Sequence, residues 1–139
     1  MIHFHSSGDD ARALQAELNE TRPESVAIVQ ANLLNIAHLP SLVHETVGHF
    51  GRLDVLVNNA SSFFPTPVGD ITEAQWDDLI GTNLKTPLFL SQAAAPHLRK
   101  TEGCIVNIVD IHADRPMKNY VVYNAAKGGL MSLTRSLAR

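Results

Sequence analysis

Apolar runs rich in β-branched residues alternate along this chain with stretches where apolar residues return every three or four positions. The first pattern is that of buried strands and the second that of helices showing one face to a core. Four runs read as strands: Ile2–His5, Val26–Ala31, Leu53–Asn58 and Cys104–Val109. The helical period covers Asp9–Asn19, Leu39–Phe50 and Thr72–Arg99, and a last helix opens near Tyr120 and runs to Arg139. Gly51 stops the second helix, and Thr72 with Gln75 three residues on forms a capping box that satisfies free N–H groups at the start of the third. Strands of this kind, separated by helices, build a parallel sheet covered on both faces. The expected architecture is a doubly wound α/β unit, one domain over residues 1–139.

Composition narrows the functions open to it. With 139 residues, 45% of them hydrophobic, the chain is large enough for a real core and is the size of one ordinary domain. A net charge of −3 with scattered Lys and Arg argues against nucleic acid and against an anionic membrane surface. The single cysteine, Cys104, lies in the apolar run CIVNIV, so a disulfide framework is excluded and a buried, inert thiol is expected. No stretch approaches membrane-spanning length and MIHFHSSGDD has no export character, which leads to a soluble, cytoplasmic protein. The segment HETVGH only imitates a zinc motif: His44 and His49 are five apart and leave different helix faces, so no metal is expected.

The chemistry gathers in VDIHADRPMKNYVVYNAAKGG, Val109–Gly129. Tyr123 and Lys127 are four apart on one helix face, where an ammonium favours the phenolate and would lower the phenol pKa. Asp110 closes the preceding apolar run, and upstream NNAS (Asn58–Ser61) ends another, with small side chains that would let a flat ligand approach the backbone. Asn83 interrupts an apolar helix one turn before Pro87, and Phe63 and Phe64 sit in a proline-stiffened loop where a phenyl face can stack on a flat ring. Each feature alone also has a local explanation: a chance pair on a helix, a polar turn, a hydrogen-bond patch, a loop cap, core packing.

Taken together, NNAS, the Asn of TNL, an apolar strand ending in a polar residue and YxxxK resemble the short-chain dehydrogenase/reductase family over essentially the whole chain. NNASSF, VD in place of the usual serine, and YNAAKGG resemble its pteridine reductase branch. The resemblance implies a Rossmann-like sheet and hydride transfer from a nicotinamide dinucleotide. Tyr123 would be the proton donor, Lys127 would bind the nicotinamide ribose and tune Tyr123, and Asn83 would hold a water in the proton relay. The pterin would lie between the nicotinamide and Phe63, with Ser61 touching cofactor or pterin and Asp110 serving ring-nitrogen protonation with Tyr123. His5, Ser6 and Ser7 stand where the branch reads the 2′-phosphate with His-Arg-Ser, Asn32 and Leu33 stand near the adenine, and Asn59, Ala60 and Ser61 line the cofactor. The cofactor is NADPH ahead of NADH, although the missing Arg weakens that preference. The implied reaction takes dihydropterins or dihydrofolate to their tetrahydro forms, in a full-length parent that is a homo-oligomer, dimer or tetramer, associated through Thr82–Arg99 and Tyr120–Arg139.

Asp110 bears on the substrate independently. A carboxylate beside a ketone oxygen repels the developing alkoxide, whereas it accepts hydrogen bonds from the ring N–H and amino groups of a nitrogen heterocycle. If burial raises its pKa, its neutral form could also pass a proton to Tyr123. The alternatives are a short-chain reductase of another carbonyl or imine, or a non-catalytic dimerisation module of the same fold.

No glycines have the GxxxGxG or GxGxxG spacing of a phosphate cradle. Compared with the family, the chain starts at the second strand and ends within the helix of Tyr123, so the central first strand and the C-terminal strands are missing. The strands at Ile2 and Val26 would then be separated from those at Leu53 and Cys104 by an apolar slot with unpaired edges. Little or no activity is expected of this chain alone. Gly128 and Gly129, each costing about 1 kcal/mol in a helix relative to Ala, suggest close packing of the last helix on a neighbour.

Overall fold

A computed structural model of the chain describes residues 1–138. In chain order its elements are β1 (Ile2–Phe4), α1 (Gly8–Thr21), β2 (Ile28–Gln30), α2 (Leu39–Phe50), β3 (Val55–Asn58), α3 (Glu73–Ile80), α4 (Thr86–Thr101), β4 (Cys104–Asn107) and α5 (Val121–Leu137). The strands alternate with helices as the periodicity requires, and each is shorter than its apolar run. Val26 is absent from β2 because side chains of α1 take its backbone: its N–H donates to Asn19 Oδ1 at 2.9 Å and its carbonyl accepts from Asn19 and Gln15. Leu53 is absent from β3, its carbonyl accepting instead from the Thr101 hydroxyl at 2.6 Å. The capping box forms as expected, Gln75 N–H donating to Thr72 Oγ1 at 3.3 Å and Thr72 N–H to Gln75 Oε1 at 3.0 Å. Arg139, expected as the end of the last helix, lies outside the described residues.

The helical region read from Thr72 to Arg99 is divided into α3 and α4 by a π turn, Gly81–Lys85. Pro87 is the cause. It has no N–H for the carbonyl of Asn83, and its ring crowds that carbonyl. The turn widens to accommodate it, and Thr86 N–H donates to Gly81 O, one residue further back than in an α-helix.

Both strand pairs are parallel: Ile2 faces Ile28 in one, and Val55 to Asn58 face Cys104 to Asn107 in the other. Among the described residues no ladder joins the two pairs. A cavity of about 460 Å³ lies between them, walled by Ile2 and His3 of β1, by Val57 and Asn58 of β3, and by Thr86 and Leu90 of α4. The halves are held together from the side. Leu39 and Val43 of α2 bury against Leu90, Ala94 and Leu98 of α4, and the Thr86 hydroxyl donates to the Leu33 carbonyl at 2.8 Å.

A second core joins Leu79 of α3 to Val122 and Tyr123 of α5. Here α5 comes close to the π turn, since a Cβ on Gly129 would meet Leu84 Cδ2 at 2.8 Å, whereas one on Gly128 would make only an ordinary 3.8 Å contact with Ala113 O. The neighbour that demands a glycine therefore demands it at Gly129.

Cys104 is exposed, contrary to the buried thiol expected of CIVNIV. Alternation explains it: one face of the β3–β4 ribbon packs on helices, while Val55, Val57, Cys104 and Val106 form the opposite, bare face.

Gly103 sets the register of that ribbon, because a Cβ there would overlap the Asp54 carbonyl that receives the N–H of Cys104 at 2.9 Å. Gly103→Ala should lower stability by about 1–3 kcal/mol, the usual range for forced overpacking. Urea titration of both proteins checks this, and an unchanged midpoint would refute the register role.

Candidate active site

β4 ends beside the N-terminal turn of α5, and that juxtaposition brings three of the expected residues together. The Tyr123 hydroxyl donates to Asp110 Oδ2 at 2.7 Å. Lys127, one turn along the same face, donates from Nζ to the Ile108 carbonyl at 2.9 Å and lies 5.7 Å from the centre of the Tyr123 ring. Asp110 caps a one-turn 3₁₀ helix, Ile111–Ala113, its Oδ1 accepting the His112 backbone N–H at 2.9 Å.

Asn83 sits in the π turn and is 1% exposed. Its Nδ2 donates to the carbonyls of Ser62 at 2.9 Å and Leu79 at 3.0 Å, and its Oδ1 accepts from the Ser61 hydroxyl at 2.6 Å. The side chain is thus occupied in clasping the NNASS loop to the helix. Phe63, 51% exposed, stacks on Tyr120 at 4.6 Å and meets the Tyr123 ring edge-on at 4.8 Å. It lies at the surface and not in the packed interior.

The electrostatics differ in sign from what the Tyr-Lys spacing suggests. Tyr123 is pushed up to about 12, first by burial and then by its bond to the Asp110 carboxylate and that group's charge, with the Ser61 hydroxyl opposing. The ammonium of Lys127 is turned to a backbone carbonyl and does not lower the phenol pKa in the ligand-free chain. Lys127 itself is lowered by burial, against the charge of Asp110. Asp110 is held below the usual carboxylate range, chiefly by the His112 N–H and then by Tyr123, so it is a carboxylate at neutral pH and not the raised-pKa acid that burial alone would give.

The expected nucleotide-side residues divide. His5, Asn32, Leu33, Ala60 and Ser61 line one cavity of about 210 Å³, Asn59 lines the larger cavity between the strand pairs, and Ser6 and Ser7 are exposed ahead of α1. Asn32 spends its side-chain oxygen on the Leu34 N–H at 3.0 Å. Sequence reasoning missed Asp78. It lines the smaller cavity, and its Oδ1 is buried with no hydrogen-bond partner. Its only trace in the sequence is the second acidic residue of QWDDLI, five positions before Asn83.

The family model for short chain dehydrogenase matches residues 1–139. The chain belongs to the short-chain dehydrogenase/reductase family. Among curated relatives, this short-chain dehydrogenase/reductase is 38% identical to pteridine reductase 1 of Leishmania tarentolae over 99% of the chain and 61% of that protein. It is 34% identical to D-xylose 1-dehydrogenase of Caulobacter vibrioides over 100% of the chain and 54% of that protein. It is also 34% identical to 3-oxoacyl-(acyl-carrier-protein) reductase of Staphylococcus aureus over 99% of the chain and 56% of that protein. The chain thus spans little more than half the length of these relatives. No helix among the described residues is long and apolar enough to cross a membrane.

In a Tyr120→Phe background, which leaves Tyr123 as the only tyrosine, alkaline titration of phenolate absorbance should give a midpoint of about 12. Adding Asp110→Asn removes the charge, and the midpoint should fall toward the ordinary value near ~10. If both proteins titrate together, burial alone holds the phenol.

Proposed function

We propose that this short-chain dehydrogenase/reductase serves the NADPH-dependent reduction of pterins, dihydropterin or dihydrofolate to the tetrahydro form. The observation that carries the reading is the 2.7 Å bond from Tyr123 to Asp110 beside a half-exposed Phe63. A carboxylate here would receive the ring N–H and amino groups of a pterin, the phenol stands next to it as a proton source, and the side of Phe63 away from its stack on Tyr120 would meet the fused ring.

The residues present fit the nucleoside part of a nicotinamide dinucleotide. Asn32, Leu33 and Ala60 would hold the adenine side, and the unpartnered Oδ1 of Asp78 is an acceptor for an amino group in the same cavity. His5, Ser6 and Ser7 would meet a 2′-phosphate, with Asn59, Ala60 and Ser61 along the ribose and nicotinamide and Lys127 at the nicotinamide ribose. The pyrophosphate finds no glycine cradle among the described residues. When bound, the dinucleotide supplies the hydride that a C=N carbon accepts.

The chain's own residues then manage the proton. Tyr123 holds its proton throughout the neutral range and gives it to the ring nitrogen, which becomes strongly basic as electrons reach it. Asp110, ionised, orients the ring, and Asn83 keeps the Ser61 loop at the right height, where its oxygen could also share a relay water. The relatives at 34% identity, a sugar dehydrogenase and a 3-oxoacyl reductase, support the broader reading of an oxidoreductase acting on a carbonyl or alcohol. The Asp110 carboxylate weighs against it, since an alkoxide would develop beside a negative charge. The exposed Leu88 of α4 and Val121 of α5 are consistent with a homo-oligomer, and a cytoplasmic setting suits the coenzyme.

The test compares NADPH-dependent turnover of dihydrobiopterin, dihydrofolate and a panel of ketones, both in this chain and in a version extended to the length of its relatives. We expect the extended protein to reduce the pterins and the chain alone to show little or no turnover. Tyr123→Phe should reduce turnover by about 10²–10⁴-fold, the usual range for a general acid. An Asp110→Ser protein that keeps pterin activity, or an extended protein active only on ketones, would overturn the proposal.

A further inference from the structure

The loop between β4 and α5 holds Asp110 by a short device. The 3₁₀ turn Ile111–Ala113 has little intrinsic strength, because a single turn fixes several dihedral angles for few hydrogen bonds. Its backbone bonds run from Ala113 to Asp110, and from Asp114 and Arg115 to Ile111, at 2.9 to 3.0 Å. A side chain adds one more: Nδ1 of the His112 ring lies 2.9 Å from the Arg115 carbonyl. A carbonyl only accepts, so Nδ1 carries the proton, and this donor persists whether the ring is neutral or charged.

His112 therefore acts at both ends of the turn. Its main-chain N–H engages Asp110 Oδ1, leaving Oδ2 for Tyr123, while its ring ties Arg115, the residue before Pro116, back to the start of the loop. The geometry points to His112 as a positioning residue: its ring locks the turn, and the turn aims the Asp110 carboxylate at the Tyr123 hydroxyl. This deepens the reading of Asp110 and Tyr123 as the reacting pair and rests on it, yet its test needs no turnover. The ionisable groups facing Asp110 are Tyr123, His112 and Lys127.

The experiment uses the isotopically labelled chain with His112→Asn and His112→Phe. Asparagine offers an amide N–H close to where Nδ1 stands, whereas phenylalanine keeps the ring and loses the donor. Two signals are followed by NMR: exchange of the backbone amide at position 112, and the shift of that amide as Asp110 protonates. The parent and the asparagine variant should show a protected amide and an Asp110 midpoint below the ordinary value near ~3.9. In the phenylalanine variant the amide should exchange about tenfold faster and the midpoint should rise toward that ordinary value. A parent-like phenylalanine variant, or an asparagine variant that behaves as phenylalanine is expected to, overturns the inference. Should the phenylalanine protein fail to fold, the asparagine protein decides alone, supporting the clasp if parent-like and overturning it if its midpoint is ordinary. Failure of the pterin assays leaves these readings unaffected, so the two proposals fall separately.

Discussion

A phenol whose ring is buried must find an acceptor for its hydroxyl, and in this chain the acceptor is a charge. The bond from Tyr123 to Asp110 ties the first turn of α5 to the end of β4, so the register of the strands and the seating of the helix both converge on it. Strand register depends on Gly103 allowing β4 to start against Asp54. Helix seating depends on Gly129 lying against Leu84 of the π turn, and the π turn follows from Pro87. Residues far apart in sequence, each with a plain steric reason, thus determine one oxygen-to-oxygen distance.

The same logic divides the molecule. The candidate reacting groups stand on α5, in the π turn and in the loops after β3 and β4, while the nucleotide-side residues stand just past the ends of β1, β2 and β3. No ladder among the described residues spans the cavity between the strand pairs. What crosses it is apolar packing of α2 on α4, together with the hydrogen bond from Thr86 to Leu33. Apolar packing is non-directional, whereas a parallel ladder fixes register at every residue. The angle between the halves is therefore less constrained than the geometry inside either one, and the Tyr123–Asp110 pair lies wholly within one half.

Much of this was readable from the residues alone. Period-two and period-3.6 patterns placed the four strands and the helical stretches, though not the break between α3 and α4, and Thr72 with Gln75 marked a helix start to the residue, because those signals are local. Three features were not local. The π turn depends on how a helix relieves Pro87, and spacing does not reveal that. The exposure of Cys104 depends on which sheet face is covered, and an apolar run cannot specify a face. The sign of the Tyr123 shift depends on Lys127 turning to the Ile108 carbonyl while Asp110 takes the hydroxyl, a choice of partners made in three dimensions. Asp78 was hidden for a similar reason: only its burial without a partner distinguishes it from the exposed Asp77 beside it.

The reversed sign has a chemical consequence for the proposed reaction. A tyrosine activated by an ammonium is poised as a phenolate, ready to take a proton from an alcohol. Bonded to a carboxylate and raised to about 12, Tyr123 is instead held as the protonated acid. The phenolate forms next to Asp110 whichever way the reaction runs, so the charge raises the cost of deprotonating Tyr123 in both directions and sets its resting form as the acid. In the proposed reduction the proton would move onto a nitrogen made basic by the arriving electrons, and a ring N–H meeting the carboxylate would offset its charge beside the new phenolate. A serine in place of Asp110 would add no such cost, because a hydroxyl can donate to a phenolate as readily as it accepts from a phenol. In the proposed reaction the carboxylate would therefore do two things with one charge: suit a nitrogen heterocycle better than a ketone, and hold the neighbouring proton on Tyr123.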